Sequence, residues 1–170
     1  VSIPNKMGFD EFYGYNCQRQ SHSFYPDHLW HNEEKVLFPE NENNACKTYS
    51  QDLIHEQALK FIRDHKEQPF FAMLTYTLPH AELNLPHDSI YQMYENSFEE
   101  TPYIGKFDKV NGGYNTSEKP KASFAAMVSR LDKYVGDVIA ELKELGLDKN
   151  TIVIFTSDNG PHHEGGADPD

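Results

Sequence analysis

A short apolar run near the C-terminal end constrains the fold of this chain more than any other feature. Residues 152–156 are Ile-Val-Ile-Phe-Thr, which are all β-branched or aromatic and carry no charge. Such a run is typical of a strand that is buried on both faces of a parallel sheet. Asp158, Asn159 and Gly160 follow it, at the strand end where open α/β sheets place their ligands. The oxygen donors of Asp and Asn suit Ca²⁺ or Mg²⁺, and the alternative is an ordinary Asn-Gly turn.

A long amphipathic segment precedes this run. Apolar side chains alternate in steps of three and four residues from Phe124 to Leu145, which predicts a helix over residues 121–145. Gly146 follows it, and glycine is the residue type that most often caps the C-terminal end of a helix. Similar spacing predicts a second long helix over residues 50–66.

A second apolar run, residues 70–76, follows the helix predicted over 50–66 and leads into Pro79 and His80. A short helix is expected over 86–94, and residues 98–120 then form a surface excursion. The chain therefore alternates between helices and strands, which predicts an α/β fold with a parallel sheet. Because two strands do not make a stable sheet alone, we expect partner strands from chain outside these residues or from another copy.

The first 50 residues are rich in aromatic residues, His, Asn and Pro, and they show no sustained periodicity. They predict irregular surface structure with short strands near 13–15 and 36–38. The chain of 170 residues opens on Val1 and closes just past the Asp-Asn-Gly motif. We therefore expect residues 1–170 to be the central fragment of a longer domain. Its loop-rich segment is 1–50, and its helix-strand-helix-strand portion is 51–170.

The charge balance narrows the classes of partner. There are 27 acidic and 15 basic residues, which gives a formal net charge of −12. This balance argues against nucleic-acid binding, which needs a basic face, although a bound divalent cation could still admit an anionic substrate. No apolar run is long enough to span a membrane. Two cysteines, Cys17 and Cys46, are too few for a disulfide scaffold.

His80 is the first candidate for chemistry. It follows the first predicted strand, as Asp158 and Asn159 follow the second, and parallel strands open on the same sheet edge. Pro79 and Pro86 stiffen its segment and limit the freedom of the imidazole. Such a histidine can give a proton to a leaving group or a hydrogen bond to an anion. The alternative is a histidine packed in a loop.

Three further residues are candidates for substrate binding. Gln20 and His22 could line a pocket for a hydroxylated substrate or belong to a hydrogen-bonded loop, and the sequence favours neither. His163 follows His162, and because adjacent histidines rarely bind one ion, His163 is predicted to contact substrate rather than zinc. Cys17 is predicted to be a structural cysteine rather than a nucleophile.

Three stretches of the sequence point to a known family when they are taken in order. Gly8–Tyr15 looks like the segment that follows a Gly-Lys-Trp signature, Pro69–His80 contains the first candidate histidine, and Phe155–Gly160 follows the long predicted helix. In this order they resemble the formylglycine-dependent sulfatases (arylsulfatases) of the alkaline-phosphatase-like superfamily. The resemblance covers nearly the whole chain.

The resemblance implies part of an α/β/α sandwich with a mostly parallel sheet, in an enzyme that is a sulfuric ester hydrolase. It implies that Asp158 and Asn159 ligate one Ca²⁺ and that His80 contacts the sulfate and assists the leaving alkoxide. The nucleophile in this family is a formylglycine made from Cys or Ser. The expected substrate is a sulfated carbohydrate or an aryl sulfate, and the expected location is periplasmic or secreted.

The chain departs from the family pattern in ways that bear on activity. It contains no Cys/Ser-x-Pro-x-Arg pentapeptide, so formylglycine is expected upstream of this chain rather than at Cys17. The paired N-terminal Asp ligands and the signature lysines of the family are also absent. We therefore expect these 170 residues to be inactive alone. A phosphodiesterase or phosphoryl hydrolase with two zinc ions and a non-catalytic relative that binds sulfated glycans are the alternatives.

Overall fold

The computed structural model of the chain describes residues 3–106, 113–160 and 164–167. In chain order the regular elements are β1 (Tyr13–Gly14), α1 (Gln18–Ser21), β2 (His28–His31), β3 (Glu34–Leu37), α2 (Ser50–Asp64), α3 (Ser89–Gln92) and α4 (Pro120–Glu144). Single 3₁₀ turns lie at Pro4–Met7, Pro39–Asn44 and Glu164–Gly166. None of these helices is both long and apolar enough to cross a membrane.

The two long helices confirm the prediction from apolar spacing. Helix α4 starts with Pro120 in its first turn, where the missing N–H of proline costs nothing. It ends as predicted at Gly146, whose φ is 70°. The N–H groups of Gly146 and Leu147 donate to the carbonyls of Lys143 and Leu142, at 3.0 and 2.8 Å. This Schellman motif satisfies carbonyls that the helix end would leave open.

Helices α2 and α4 pack against each other through aromatic and polar side chains. The buried ring of His55 on α2 stacks on Tyr134 of α4, with 4.3 Å between centroids. Arg130 of α4 is 4% exposed and donates to Asp52 of α2 and to Asp88, the N-cap of α3. The apolar core beside this contact comprises Phe24, Tyr49, Leu78, Leu83, Leu85, Tyr91, Ala122, Ala126, Met127 and Tyr134.

A three-stranded antiparallel sheet lies within the first 40 residues, in the order β1-β2-β3. The expected short strands are found as β1 and β3, whereas β2 was not predicted. Asn32 and Glu33 form the two-residue turn between β2 and β3, and Asn32 takes a φ of 55°. Asparagine tolerates this left-handed conformation, and its side chain accepts the Phe12 N–H at 2.9 Å.

The prediction of buried strands over 70–76 and 152–156 is wrong for the structure as described. Both segments are neither helix nor strand, and Phe71 and Ile152 are 73% and 89% exposed. The physical reason is that a strand is buried on both faces only within a sheet that other elements cover, and the described residues supply no such sheet for these segments. The mostly parallel sheet is therefore not seen among residues 3–106, 113–160 and 164–167.

Candidate functional site

Three aromatic rings lie close together near the C-terminal end of the segment 70–76. The His80 ring stacks on His22 with 5.3 Å between centroids, and Tyr114 lies 5.3 Å from His22 and 5.6 Å from His80. We call His22, His80 and Tyr114 the ring cluster. It brings together two residues that were predicted from the sequence, His80 and His22, although 58 positions (80 − 22) separate them.

Hydrogen bonds between residues that are close in the sequence fix the backbone at His80 and at His22. The His80 N–H donates to the Thr77 carbonyl at 2.9 Å, which closes a turn directly after the segment 70–76. The His22 N–H donates to the Arg19 carbonyl at 3.3 Å at the end of α1. The imidazoles therefore project from two local turns.

Tyr114 reaches beyond the ring cluster to a third part of the chain. Its hydroxyl donates to Glu164 at 2.8 Å, in the 3₁₀ turn that follows the Asp-Asn-Gly motif. Burial is the main cause that raises the pKa of Tyr114 above its ordinary value, and the Glu164 carboxylate adds to it. Tyr114 therefore remains a neutral hydrogen-bond donor at physiological pH.

Glu82, two positions after His80, is a fully buried carboxyl group, with 0% exposure. Its two oxygens accept the backbone N–H and the side-chain amide of Asn115, at 3.0 and 2.7 Å. Burial raises the pKa of Glu82 to about 7, although the two bonds from Asn115 act in the opposite direction. This carboxyl group therefore titrates near neutral pH.

The turn at Glu164–Gly166 packs closely on the segment that carries His80. Gly165 has a φ of 82°, and a Cβ atom at this position would lie 2.6 Å from the Ala81 carbonyl oxygen. Only glycine fits such an approach without displacing the backbone. The contact places the turn at Glu164–Gly166 next to the segment that carries His80.

Asp158 and Asn159 are exposed and lie just after the apolar segment 152–156. The Ser157 hydroxyl donates to the Asn159 carbonyl at 2.7 Å, and the Asn159 amide donates to the Gly160 carbonyl at 2.7 Å. A carboxylate and an amide oxygen are donors that fit Ca²⁺, which takes roughly six to eight oxygen ligands. The part of the chain that the structure describes contains no group of three or more His, Cys, Asp or Glu residues placed to hold a metal ion. The two residues therefore fit only part of a calcium site.

The remaining predicted contacts have different outcomes. The Gln20 side-chain amide donates to the His28 carbonyl at 2.6 Å, which ties α1 to β2. Gln20 also lines a surface cavity of about 240 Å³, together with Cys17, Arg19, Tyr25 and Asp27. His163 lies outside the described residues. Cys17 is an exposed free thiol, whereas a structural cysteine was expected.

Sequence reasoning missed Tyr114, Glu82 and Asn115. Glu82 is two positions after His80, and a carboxylate so close to a candidate catalytic residue was a usable signal. Tyr114 and Asn115 lie in the segment that was assigned only to a surface excursion. Their contacts with His80 and Glu82 span more than 30 positions, and Asn115 lies 33 positions after Glu82.

Comparison with known proteins gives a consistent result. The family model described as Sulfatase matches residues 2–170. An uncharacterized sulfatase YdeN from Escherichia coli is 28% identical over 92% of this chain and 23% of its own length. An endo-4-O-sulfatase from Bacteroides thetaiotaomicron is 29% identical, over 91% of this chain and 30% of its own length.

A third relative and a solved structure agree with these matches. An arylsulfatase from Klebsiella aerogenes is 27% identical over 75% of this chain and 32% of its own length. The crystal structure of Ps i-CgsB in complex with k-i-k-neocarrahexaose superposes with a TM-score of 0.58 and 23% identity, over 85% of this chain and 31% of that one. The family match and this likeness in structure together imply an α/β fold of the alkaline-phosphatase-like type. The chain spans less than a third of each of these proteins. With the family model matched over residues 2–170, this chain belongs to the sulfatase family.

Proposed function

We propose that this chain is part of a calcium-dependent enzyme that hydrolyses sulfate esters of a carbohydrate or an aryl alcohol. The observation that carries the proposal is the ring cluster, in which the His80 ring contacts the rings of both His22 and Tyr114. Membership of the sulfatase family supports the reaction class. The names endo-4-O-sulfatase and arylsulfatase among its relatives support the two kinds of substrate.

His80 is the proposed catalytic residue of this chain. Its imidazole would donate a hydrogen bond to the sulfate group and a proton to the departing alkoxide oxygen. Its stacking on His22 limits the rotation of the imidazole, so that little freedom is lost when a substrate binds. His22, Gln20 and His163 are the proposed contacts to the rest of the substrate.

Asp158 and Asn159 are the proposed calcium ligands of this chain. A bound Ca²⁺ would polarise the S–O bonds and stabilise negative charge on the group being transferred. The exposure of both side chains supports this role, because they are accessible to an ion and to further ligands. The further ligands and a formylglycine nucleophile are proposed to come from chain outside these residues.

The isolated 170-residue chain is therefore proposed to be inactive. Neither a Cys/Ser-x-Pro-x-Arg pentapeptide nor a complete set of metal ligands lies within its described residues. A periplasmic or secreted location is proposed from the family alone.

Peptide mapping of the intact protein by mass spectrometry, with metal analysis of the same sample, tests this proposal. The expected result is a Cys/Ser-x-Pro-x-Arg peptide upstream of Val1 in which Cys or Ser has become formylglycine, with one Ca²⁺ per chain. Two zinc ions and an unmodified Ser or Thr would instead indicate a phosphoryl hydrolase. Absence of both the motif and the metal would indicate a glycan-binding relative.

A further inference from the structure

Glu82 is the one fully buried carboxyl group near the ring cluster within the described residues, and the mechanism above gives it no task. A buried carboxyl group is costly unless it is hydrogen-bonded. Here both oxygens are used for a single partner, Asn115, through its backbone N–H and its side-chain amide. Two bonds to one residue fix the position and the orientation of that residue.

Asn115 is joined directly to Tyr114, whose ring contacts both His80 and His22. Glu82 itself lies two positions after His80 on a separate segment. The carboxyl group therefore links the segment that carries His80 to the segment that carries Tyr114. The hydrogen bond from Tyr114 to Glu164 ties the same ring to a third segment of the chain.

We propose that Glu82 is a positioning residue, which acts through Asn115 to hold the Tyr114 ring against His80 and His22. The role rests on the proposed function, in which His80 is the catalytic residue. Loss of the link would let the segment of Tyr114 move and give the His80 imidazole rotational freedom. A misplacement of about 1 Å at a catalytic group can lower the rate by about 100-fold.

The titratable groups that face Glu82 belong to two other segments. They are Tyr15, next to β1, and Tyr114 itself, with Glu164 behind the Tyr114 hydroxyl. Both tyrosines are neutral at physiological pH, because burial raises the pKa of each above its ordinary value. A substitution of Glu82 therefore affects the ring cluster through the bonds to Asn115, and not through a charge on Tyr15 or Tyr114.

The test uses the intact protein with ¹³C at the histidine Cε1 atoms. The His80 signal is assigned by its absence in His80→Gln, and its chemical shift and titration curve are measured by NMR alongside steady-state kinetics. The variants are Glu82→Gln, which replaces one acceptor with a donor, and Asn115→Ala, which keeps Glu82 and the backbone bond. Glu118→Gln is the matched control, because Glu118 is exposed on the same segment as Asn115.

The expected result is that both variants shift the His80 signal and its titration midpoint in the same direction, whereas Glu118→Gln leaves them unchanged. The expected kinetic effect is a fall in kcat of about 10-fold with KM changed less than about twofold, because the lost interaction acts in the transition state. If Glu82→Gln fails to fold, Asn115→Ala alone decides the question.

A His80 signal unchanged in Asn115→Ala, or changed equally in Glu118→Gln, would overturn the positioning role. An intact protein that releases no sulfate would instead count against the proposed function. The NMR arm would still report whether Glu82 positions His80. The two failures are therefore distinguishable.

Discussion

Among single residues, Glu82 has the chemistry that its surroundings change most clearly. The same side chain in solvent would be ionised throughout the neutral range, whereas burial raises the pKa of Glu82 to about 7. The folded protein therefore keeps a proton here that the unfolded chain gives up at lower pH. This difference gives the stability of the protein a dependence on pH that can be measured.

The unfolding free energy contributed by Glu82 should fall as the pH rises. Because the folded pKa is raised, the contribution is fully present below about pH 4.5, the ordinary value, and is lost as the pH approaches about 7. The expected loss is about 3 kcal/mol, from about 1.4 kcal/mol for each pH unit. Urea unfolding of the wild type and of Glu82→Gln from pH 4.5 to 7.5 measures it as the change in their difference.

Glu118→Gln serves as the control for that series, since its carboxyl group is exposed. Its difference from the wild type should change less over the same range of pH than the difference measured for Glu82→Gln. A flat difference for Glu82→Gln would mean that Glu82 does not carry a raised pKa in the folded protein.

At the scale of single residues, the sequence allowed part of the candidate site to be predicted. His80 and His22 were each singled out as candidates, because proline-rich and polar loops around histidines are visible in the sequence, but the contact between their rings was not predicted. Tyr114 and Asn115 were missed because their importance comes from contacts with residues about 30 or more positions away. No local pattern encodes such contacts.

At the scale of elements, the two long helices meet through two arginine links of different burial. Arg130 of α4 is 4% exposed and binds Asp52 and Asp88, which joins α4 to both α2 and α3. Arg63 of α2 binds Glu141 of α4 at 2.7 Å, but its side chain is 48% exposed. The same type of charge pair should therefore differ in its contribution to stability.

Arg130→Ala is expected to destabilise the protein by about 2 kcal/mol, because it removes a buried guanidinium that hydrogen-bonds to Asp52 and Asp88, although these two side chains are themselves 42% and 40% exposed. Arg63→Ala is the matched control and should cost less than about 1 kcal/mol, as exposed pairs do. Chemical denaturation of both variants, with circular dichroism of the helices, measures the two values. Equal effects would show that burial does not distinguish the two links.

The success of sequence reasoning also differs between kinds of element. The helices α2 and α4 were predicted within about two residues, because helical periodicity is a local property. Strand β2, His28–His31, was missed since its sequence of His, Leu, Trp and His alternates too briefly to be distinguished from a loop. The apolar runs at 70–76 and 152–156 were predicted to be buried strands but are largely exposed in the structure, because burial depends on partners elsewhere.

At the scale of the whole molecule, those two runs present a large apolar surface. Phe71, Met73, Ile152, Ile154 and Phe155 are each more than 60% exposed. Apolar segments whose backbone N–H and C=O groups are unpaired can hydrogen-bond to further strands. We propose that in the intact protein they are the inner strands of the family's sheet.

Hydrogen exchange followed by mass spectrometry tests this proposal. The amides of residues 71–75 and 152–156 should be protected in the intact protein and should exchange rapidly in the isolated 170-residue chain. The amides in the middle of α4 provide the internal control and should be protected in both. Rapid exchange of the two extended segments in the intact protein would contradict their place in a sheet.

The central claim, that this chain carries part of a sulfatase active site, is tested most directly by sulfate release. Ion chromatography would follow the sulfate set free from an aryl sulfate and from a sulfated oligosaccharide by the intact protein, by its His80→Ala variant and by the isolated chain. We expect sulfate from the intact protein, a rate lower by about 100-fold or more in the variant, and none from the isolated chain. The account would be contradicted by an intact protein that releases no sulfate, by an unaffected His80→Ala variant, or by turnover in the isolated chain.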